Sequence, residues 1–148
     1  MRMPRGRVLI TLITIVAAAV FLGAGAWIHS HYAEPRFNEP ELPQEFRALR
    51  NPFAGDLNAA EEGRGYFMKG CAPCHGPNAD GRGPAARGLD PAPADFRFGP
   101  ILREHSDAYV FWRITQGKHG TAMPSWNGVY DARQRWTIVT YLRSLEGK

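Results

Sequence analysis

Cys71-Ala72-Pro73-Cys74-His75 holds both cysteines of this 148-residue chain. The spacing C-x-x-C-H is the attachment signature of a c-type haem. The order of the residues suits that chemistry. Two thiols separated by two residues at a helix end can each add to one vinyl group of a porphyrin. The histidine directly after the second thiol is then aimed at the iron from the proximal side. The motif has competing readings. C-x-x-C alone reads as a thioredoxin-like redox pair, but that needs a βαβ context, and a Gly/Pro-rich loop follows here. A zinc half-site needs a second half, and no further cysteine is present. A chance match of five letters is the remaining alternative. Haem attachment uses both cysteines and leaves no odd thiol.

Outward from the motif, the pattern is helical. Of the 31 residues from Gly70 to Pro100, 12 are Gly or Pro, so this stretch reads as loop. Before it, Asn58-Ala-Ala-Glu61 resembles a capping box that opens a helix to about Gly70. After it, Ser106 and Asp107 signal a helix through Tyr109–Thr115 to Gly117. A short loop holds Met123, Pro124 and Trp126. Asp131, with Gln134 three residues on, caps the last helix. Its Ile138, Tyr141, Leu142 and Leu145 follow the i, i+3, i+4, i+7 stripe. No segment alternates over the length of a strand. The expectation is an all-α fold of three or more helices without repeats. So small and loop-rich a domain has a thin core, which a large apolar group would fill.

A second axial ligand is sought among Met123, His105, His119, Met68 and the lysines. Met123 lies in the loop Gly120-Thr-Ala-Met-Pro-Ser-Trp126, with no obvious core to fill. Methionine at helical spacing is usually packing, the better reading of Met68. His119 competes most closely with Met123, although a solvated loop histidine describes it equally well. A thioether ligand favours ferrous iron and raises the potential.

These residues resemble a class I cytochrome c, specifically the small single-haem domains of bacterial respiratory chains. The resemblance covers roughly Asn58 to Leu145. In that family a glycine stands eight residues, and an aromatic four residues, before the first cysteine. Gly63 and Phe67 hold those positions here. The resemblance makes them the crossing point with the C-terminal helix, against Ile138, Tyr141 and Leu142. It also implies one covalently attached haem, with Cys71 and Cys74 as thioether anchors and His75 and Met123 as iron ligands. Pro84 is the best match to a family proline whose carbonyl accepts a bond from the axial histidine's outer nitrogen. Trp126 is read either as a donor to a haem propionate or as plain packing. Arg82 and Arg87 are read as exposed loop arginines, with propionate pairing as the alternative.

The N-terminus is a separate segment. Arg2, Arg5 and Arg7 precede an uncharged 21-residue run, Val8 to Ile28. A membrane-spanning helix needs about 20 residues. Basic residues before the run place the N-terminus in the cytoplasm and the remainder outside. A cleaved signal peptide is the rival, with Ala24-Gly25-Ala26 as its cleavage site. The retained anchor is favoured because the apolar run continues through Trp27 and Ile28. Residues 29–56, broken by Pro35, Pro40, Pro43 and Pro52, read as a Pro-rich linker, with Pro43 to Phe53 open to a second reading in which they pack on the domain that follows. His29 and His31 read as solvated linker residues. Residues 57–148 are left as the haem domain.

The formal net charge of +4 invites a nucleic-acid reading. Three of those charges are the arginines before Val8, so residues 29–148 carry a net of +1. Nucleic acid is therefore not expected as a partner. The two cysteines also exclude a disulfide-dense scaffold and a four-cysteine iron–sulfur site. An iron with two protein ligands has no open position, so no small-molecule substrate is expected. The function the resemblance implies is outer-sphere one-electron transfer between redox partners, on the periplasmic face of a bacterial inner membrane. The donor or acceptor would be a membrane respiratory complex, of which the chain would be a tethered carrier or a subunit. The alternative is an enzyme or gas sensor with five-coordinate iron.

Overall fold

The computed structural model of the chain describes residues 41–146, and its contacts gather Leu42–Lys148 into one unit. Six helices are described: α1 (Gln44–Arg47), α2 (Leu57–Gly70), α3 (Ala72–His75), α4 (Ile101–Glu104), α5 (Asp107–Gln116) and α6 (Ala132–Ser144). A 3₁₀ turn, Pro84–Ala86, packs on α3. The only strand-like pairing among the described residues is an isolated bridge between Asp80 and Asp95. The described part is thus all-α. None of its helices is long and apolar enough to cross a membrane. The Val8–Ile28 run lies outside the described residues.

Local chemistry explains where the helices begin. The Ser106 hydroxyl accepts from the Tyr109 N–H at 3.3 Å and opens α5. Asp131 and Gln134 form the expected reciprocal capping box at α6. The start of α2 differs from expectation. Its cap is Asp56, whose Oδ1 accepts from Asn58 N–H at 2.8 Å and Ala59 N–H at 3.1 Å. Asp56 has extended backbone angles, as a cap requires, whereas Asn58 already lies inside the first turn. Asp56→Ala is expected to cost about 1 kcal/mol and to lower the melting temperature of the haem-loaded protein by about 5 °C. An unchanged melting curve would show that this cap contributes nothing.

The core forms where α2 crosses α6. A Cβ on Gly63 would sit 1.9 Å from the Thr137 carbonyl oxygen, so the two backbones meet with no side chain between them. One turn later Phe67, 1% exposed, packs its ring 5.2 Å from Tyr141. Ile138, Val139 and Leu142 are fully covered beside it. From α5, Val110, Phe111 and Ile114 enter the same core. Phe111 stacks on Trp136 of α6 at 4.0 Å and 12°.

The segment before α2 joins the same compact unit, which takes in residues from Leu42 onward. Phe46, Leu49 and Phe53 pack against the core, with the Phe46 ring 6.3 Å from Phe111. The Asn51 amide donates to Asp107 Oδ2 at 3.0 Å and to Thr140 Oγ1 at 3.1 Å. Prolines forbid a long helix in this segment, but they leave its apolar side chains free to pack.

Candidate functional site

The end of α2 builds the site. Cys71 closes α2 and opens α3. Its carbonyl accepts from Cys74 N–H at 3.1 Å and His75 N–H at 2.8 Å. One helical turn therefore sets Cys71, Cys74 and His75 at i, i+3 and i+4, neighbours on one helix face. The loop that follows seals the turn from behind. Gly81 N–H donates to the His75 carbonyl at 2.8 Å, and Gly83 N–H donates to the Cys74 carbonyl at 3.0 Å.

His75 Nδ1 lies 3.1 Å from the Ala94 carbonyl oxygen. A carbonyl only accepts, so Nδ1 carries the proton and Nε2 keeps its lone pair. Phe96, two residues on, lies 4.7 Å from the imidazole at 33°, and Phe67 lies 6.5 Å away. Burial pushes the His75 pKa below its ordinary value, opposed by the Ala94 bond. The ring is therefore neutral at pH 7, the form that ligates metal.

The role expected of Pro84 falls to Ala94. Pro84 is exposed at the start of its 3₁₀ turn. The segment that reaches the imidazole comes ten residues later, where Phe96 N–H donates to the Ala79 carbonyl at 2.9 Å and pins the strand-like pairing. A backbone carbonyl on alanine leaves no mark in a sequence. Phe96 does leave one, as an aromatic within a Gly/Pro loop. Arg82 and Arg87 are exposed.

Burial, reinforced by the neighbouring Cys74, pushes the Cys71 thiol up to about 12. A thiol–disulfide active site needs the opposite, a stabilised thiolate. An uncharged thioether costs nothing in such a place. The donor set thus fits the group that the motif implies: a Cys71 sulfur in a setting that rejects charge, the Cys74 sulfur one helical turn on, and a neutral imidazole with its tautomer fixed.

Met123 is half-buried in a loop that doubles back on the end of α5. Lys118 N–H donates to the Met123 carbonyl at 3.1 Å, and Trp126 N–H donates to the Ile114 carbonyl at 3.1 Å. Trp126 packs against the core. A Cβ on Gly70 would lie 2.9 Å from its ring and 2.7 Å from the Tyr130 hydroxyl. Trp126 stacks on Tyr130 at 5.3 Å and 13°, and the Tyr130 hydroxyl donates to the Tyr66 carbonyl at 3.2 Å. The loop bearing Met123 is thereby fastened to the residue preceding Cys71. Of the other ligand candidates, Met68 packs against the core. His105 stacks on Tyr109 at 3.8 Å, and His119 is exposed.

Residues 58–142 match the family described as cytochrome c oxidase, cbb3-type, subunit III. The chain is similar to a cbb3-type cytochrome c oxidase subunit CcoP of Azospirillum brasilense, 31% identical over 103 residues. That match covers 70% of this chain and 34% of the relative, so the chain spans about a third of its length. Among solved structures it resembles a chain of the reducing HAO-like protein complex of Kuenenia stuttgartiensis. The TM-score is 0.51 at 28% identity, over 58% of this chain and 42% of that one.

Proposed function

The chain belongs to the cbb3-type cytochrome c oxidase subunit III family and carries a class I c-type cytochrome domain, and from that premise we propose that it is a one-electron carrier of a membrane respiratory complex. The observation that carries the reading is His75, neutral, with Nδ1 held on the Ala94 carbonyl and Nε2 left to ligate, directly after Cys74 and one helical turn from the desolvated Cys71 sulfur. Bound haem supplies the redox couple, ferric and ferrous iron. The chain's own residues supply the rest. Cys71 and Cys74 hold the macrocycle, and His75 and Met123 are the proposed axial ligands. Phe67 and Phe96 flank the imidazole and limit water around it. The Ala94 bond raises the basicity of the imidazole and fixes its plane.

Were His75 and Met123 both to hold the iron, no position would remain for a substrate, and electrons would cross at the haem edge. The run Val8–Ile28 is proposed as a retained anchor, with the haem domain on the extracytoplasmic side. Tethering would replace diffusion with a high effective concentration of the partner.

The test is spectroscopic. The purified protein is expected to give a low-spin reduced-minus-oxidised spectrum and slow cyanide and carbon monoxide binding. Met123→Ala should open the iron to both ligands. It should also lower the potential by on the order of 0.1 V, within the roughly 0.8 V over which axial ligands set haem potentials. A high-spin ferric spectrum and rapid carbon monoxide binding in the parent protein would replace this reading with the open-haem enzyme or sensor. An unchanged potential in Met123→Ala would move the sixth ligand to His119 or elsewhere.

A further inference from the structure

We infer that Ser125 and Arg135 are positioning residues that clamp the Met123 loop and set how readily the methionine leaves the iron. This rests on Met123 as the sixth ligand.

The loop is first closed on itself. Gly117, at φ +74°, turns the chain out of α5 so tightly that a Cβ there would meet the Met123 carbonyl oxygen at 2.6 Å. The Thr121 hydroxyl donates to the Lys118 carbonyl at 2.7 Å and accepts from Met123 N–H at 3.2 Å. These bonds shape the loop but do not fasten it to the helices around it.

Fastening begins at Ser125. Its hydroxyl donates to the Thr115 carbonyl at 2.7 Å, and the Trp126 N–H takes the neighbouring Ile114 carbonyl. Both carbonyls lie in the last turn of α5, where no helical partner exists for them. The loop therefore completes the helix end, and its own position is set by that end. The Ser125 oxygen also accepts from Asn127 N–H at 3.3 Å. The Asn127 side-chain oxygen in turn accepts from Arg135 Nη1. Thr115, Ser125, Asn127 and Arg135 thus form one chain of bonds from α5, through the loop, to α6.

Arg135 is the informative member. It is 6% exposed, and its guanidinium lies 5.2 Å over the Phe111 ring. Its Nε is buried with no hydrogen-bond partner. Burial pushes its pKa below the ordinary arginine value, with Asp131 opposing. Keeping a cation in such a place costs stability that an apolar side chain of similar volume would recover. What the cation gains is a charge-assisted bond to Asn127, two residues from Ser125.

The test uses the haem-loaded protein and imidazole as the probe, read by loss of the methionine–iron absorption. Ser125→Ala is expected to raise imidazole affinity about five-fold, the equivalent of one net hydrogen bond. Arg135→Met is expected to raise it about ten-fold, since its bond is charge-assisted, while the melting temperature holds or rises. A merely structural role predicts the reverse, a lower melting temperature with imidazole affinity unchanged, and that result overturns the inference. Met123→Ala separates the two layers. If it binds imidazole no better than the parent, the ligand reading fails and the clamp with it. If it binds far better while Ser125→Ala and Arg135→Met match the parent, the clamp alone fails. Ser125→Ala removes one oxygen from an exposed residue, so folding of that variant is secure even if Arg135→Met is not recovered.

Discussion

Gly63→Ala is expected to destabilise the haem domain by on the order of 4 kcal/mol, a large part of the 5–15 kcal/mol that holds a domain folded. The added Cβ would lie 1.9 Å from the Thr137 carbonyl oxygen, 2.3 Å from its carbon and 2.8 Å from Ile138 N. All three are backbone atoms of α6, so no side chain can swing aside. Helix propensity pulls the other way, since alanine is better than glycine by about 1 kcal/mol in a helix interior. The clash decides the sign, because α2 and α6 must move apart and uncover Phe67, Ile138 and Leu142. Overpacking by even one methylene typically costs 1–3 kcal/mol. Gly65, in the same helix, has nothing within 4 Å of its Cβ position. Gly65→Ala should therefore be stabilising by about 0.5–1 kcal/mol. Thermal unfolding of the two variants checks the pair. A Gly63→Ala protein that melts with the parent would show that the helices do not cross in contact.

Cys71→Ala with Cys74→Ala is expected to abolish covalent haem altogether. These are the chain's only cysteines, so no other thiol can take over. Haem should then be fully removed by acid–acetone extraction and absent from denaturing gels, while the parent retains it. Cys71→Ala alone should leave one thioether and weaken retention. Covalent haem persisting in the double variant would sink the attachment reading. The consequence for stability should also be large. The compact unit is small, Phe67 and Phe96 pack on the His75 imidazole, and a covalently held haem would add apolar burial that a domain of this size supplies only thinly by itself. Without the anchor, the double variant is expected to show a broadened, lowered melting transition.

Sequence pattern alone identified the helices that matter. The capping chemistry at Ser106 and Asp131 is local, a matter of one side chain and two or three backbone groups. The stripe of Ile138, Tyr141 and Leu142 is equally local, because burying one helix face imposes its period on the sequence. Gly63 and Phe67 were legible through resemblance, and the structure puts them where α2 meets α6. The start of α2 was placed two residues late, because Asp56 and Asn58 are both good caps. Only the backbone conformation at Asp56 tells them apart.

Other features belong to tertiary structure because their determinants lie far apart along the chain. Whether Pro43 to Phe53 packs on the domain is open in the sequence, since prolines are visible there and the partners of Phe46 are not. The partner of His75 was sought at Pro84 and stands at Ala94, because any residue supplies a carbonyl and only the path of the loop decides which one arrives. The clamp from Thr115 through Ser125 and Asn127 to Arg135 joins residues whose types are ordinary on their own. What the sequence by itself determined is the chemistry: two sulfurs and an imidazole at fixed covalent spacing, with helices whose periodicity demands a shared core. What tertiary structure decided is the control of that chemistry: which nitrogen of His75 is free, how the Met123 loop is held, and where the domain begins. Covalent spacing is written into the order of residues, whereas hydrogen bonds between distant segments exist only once the chain has closed on itself.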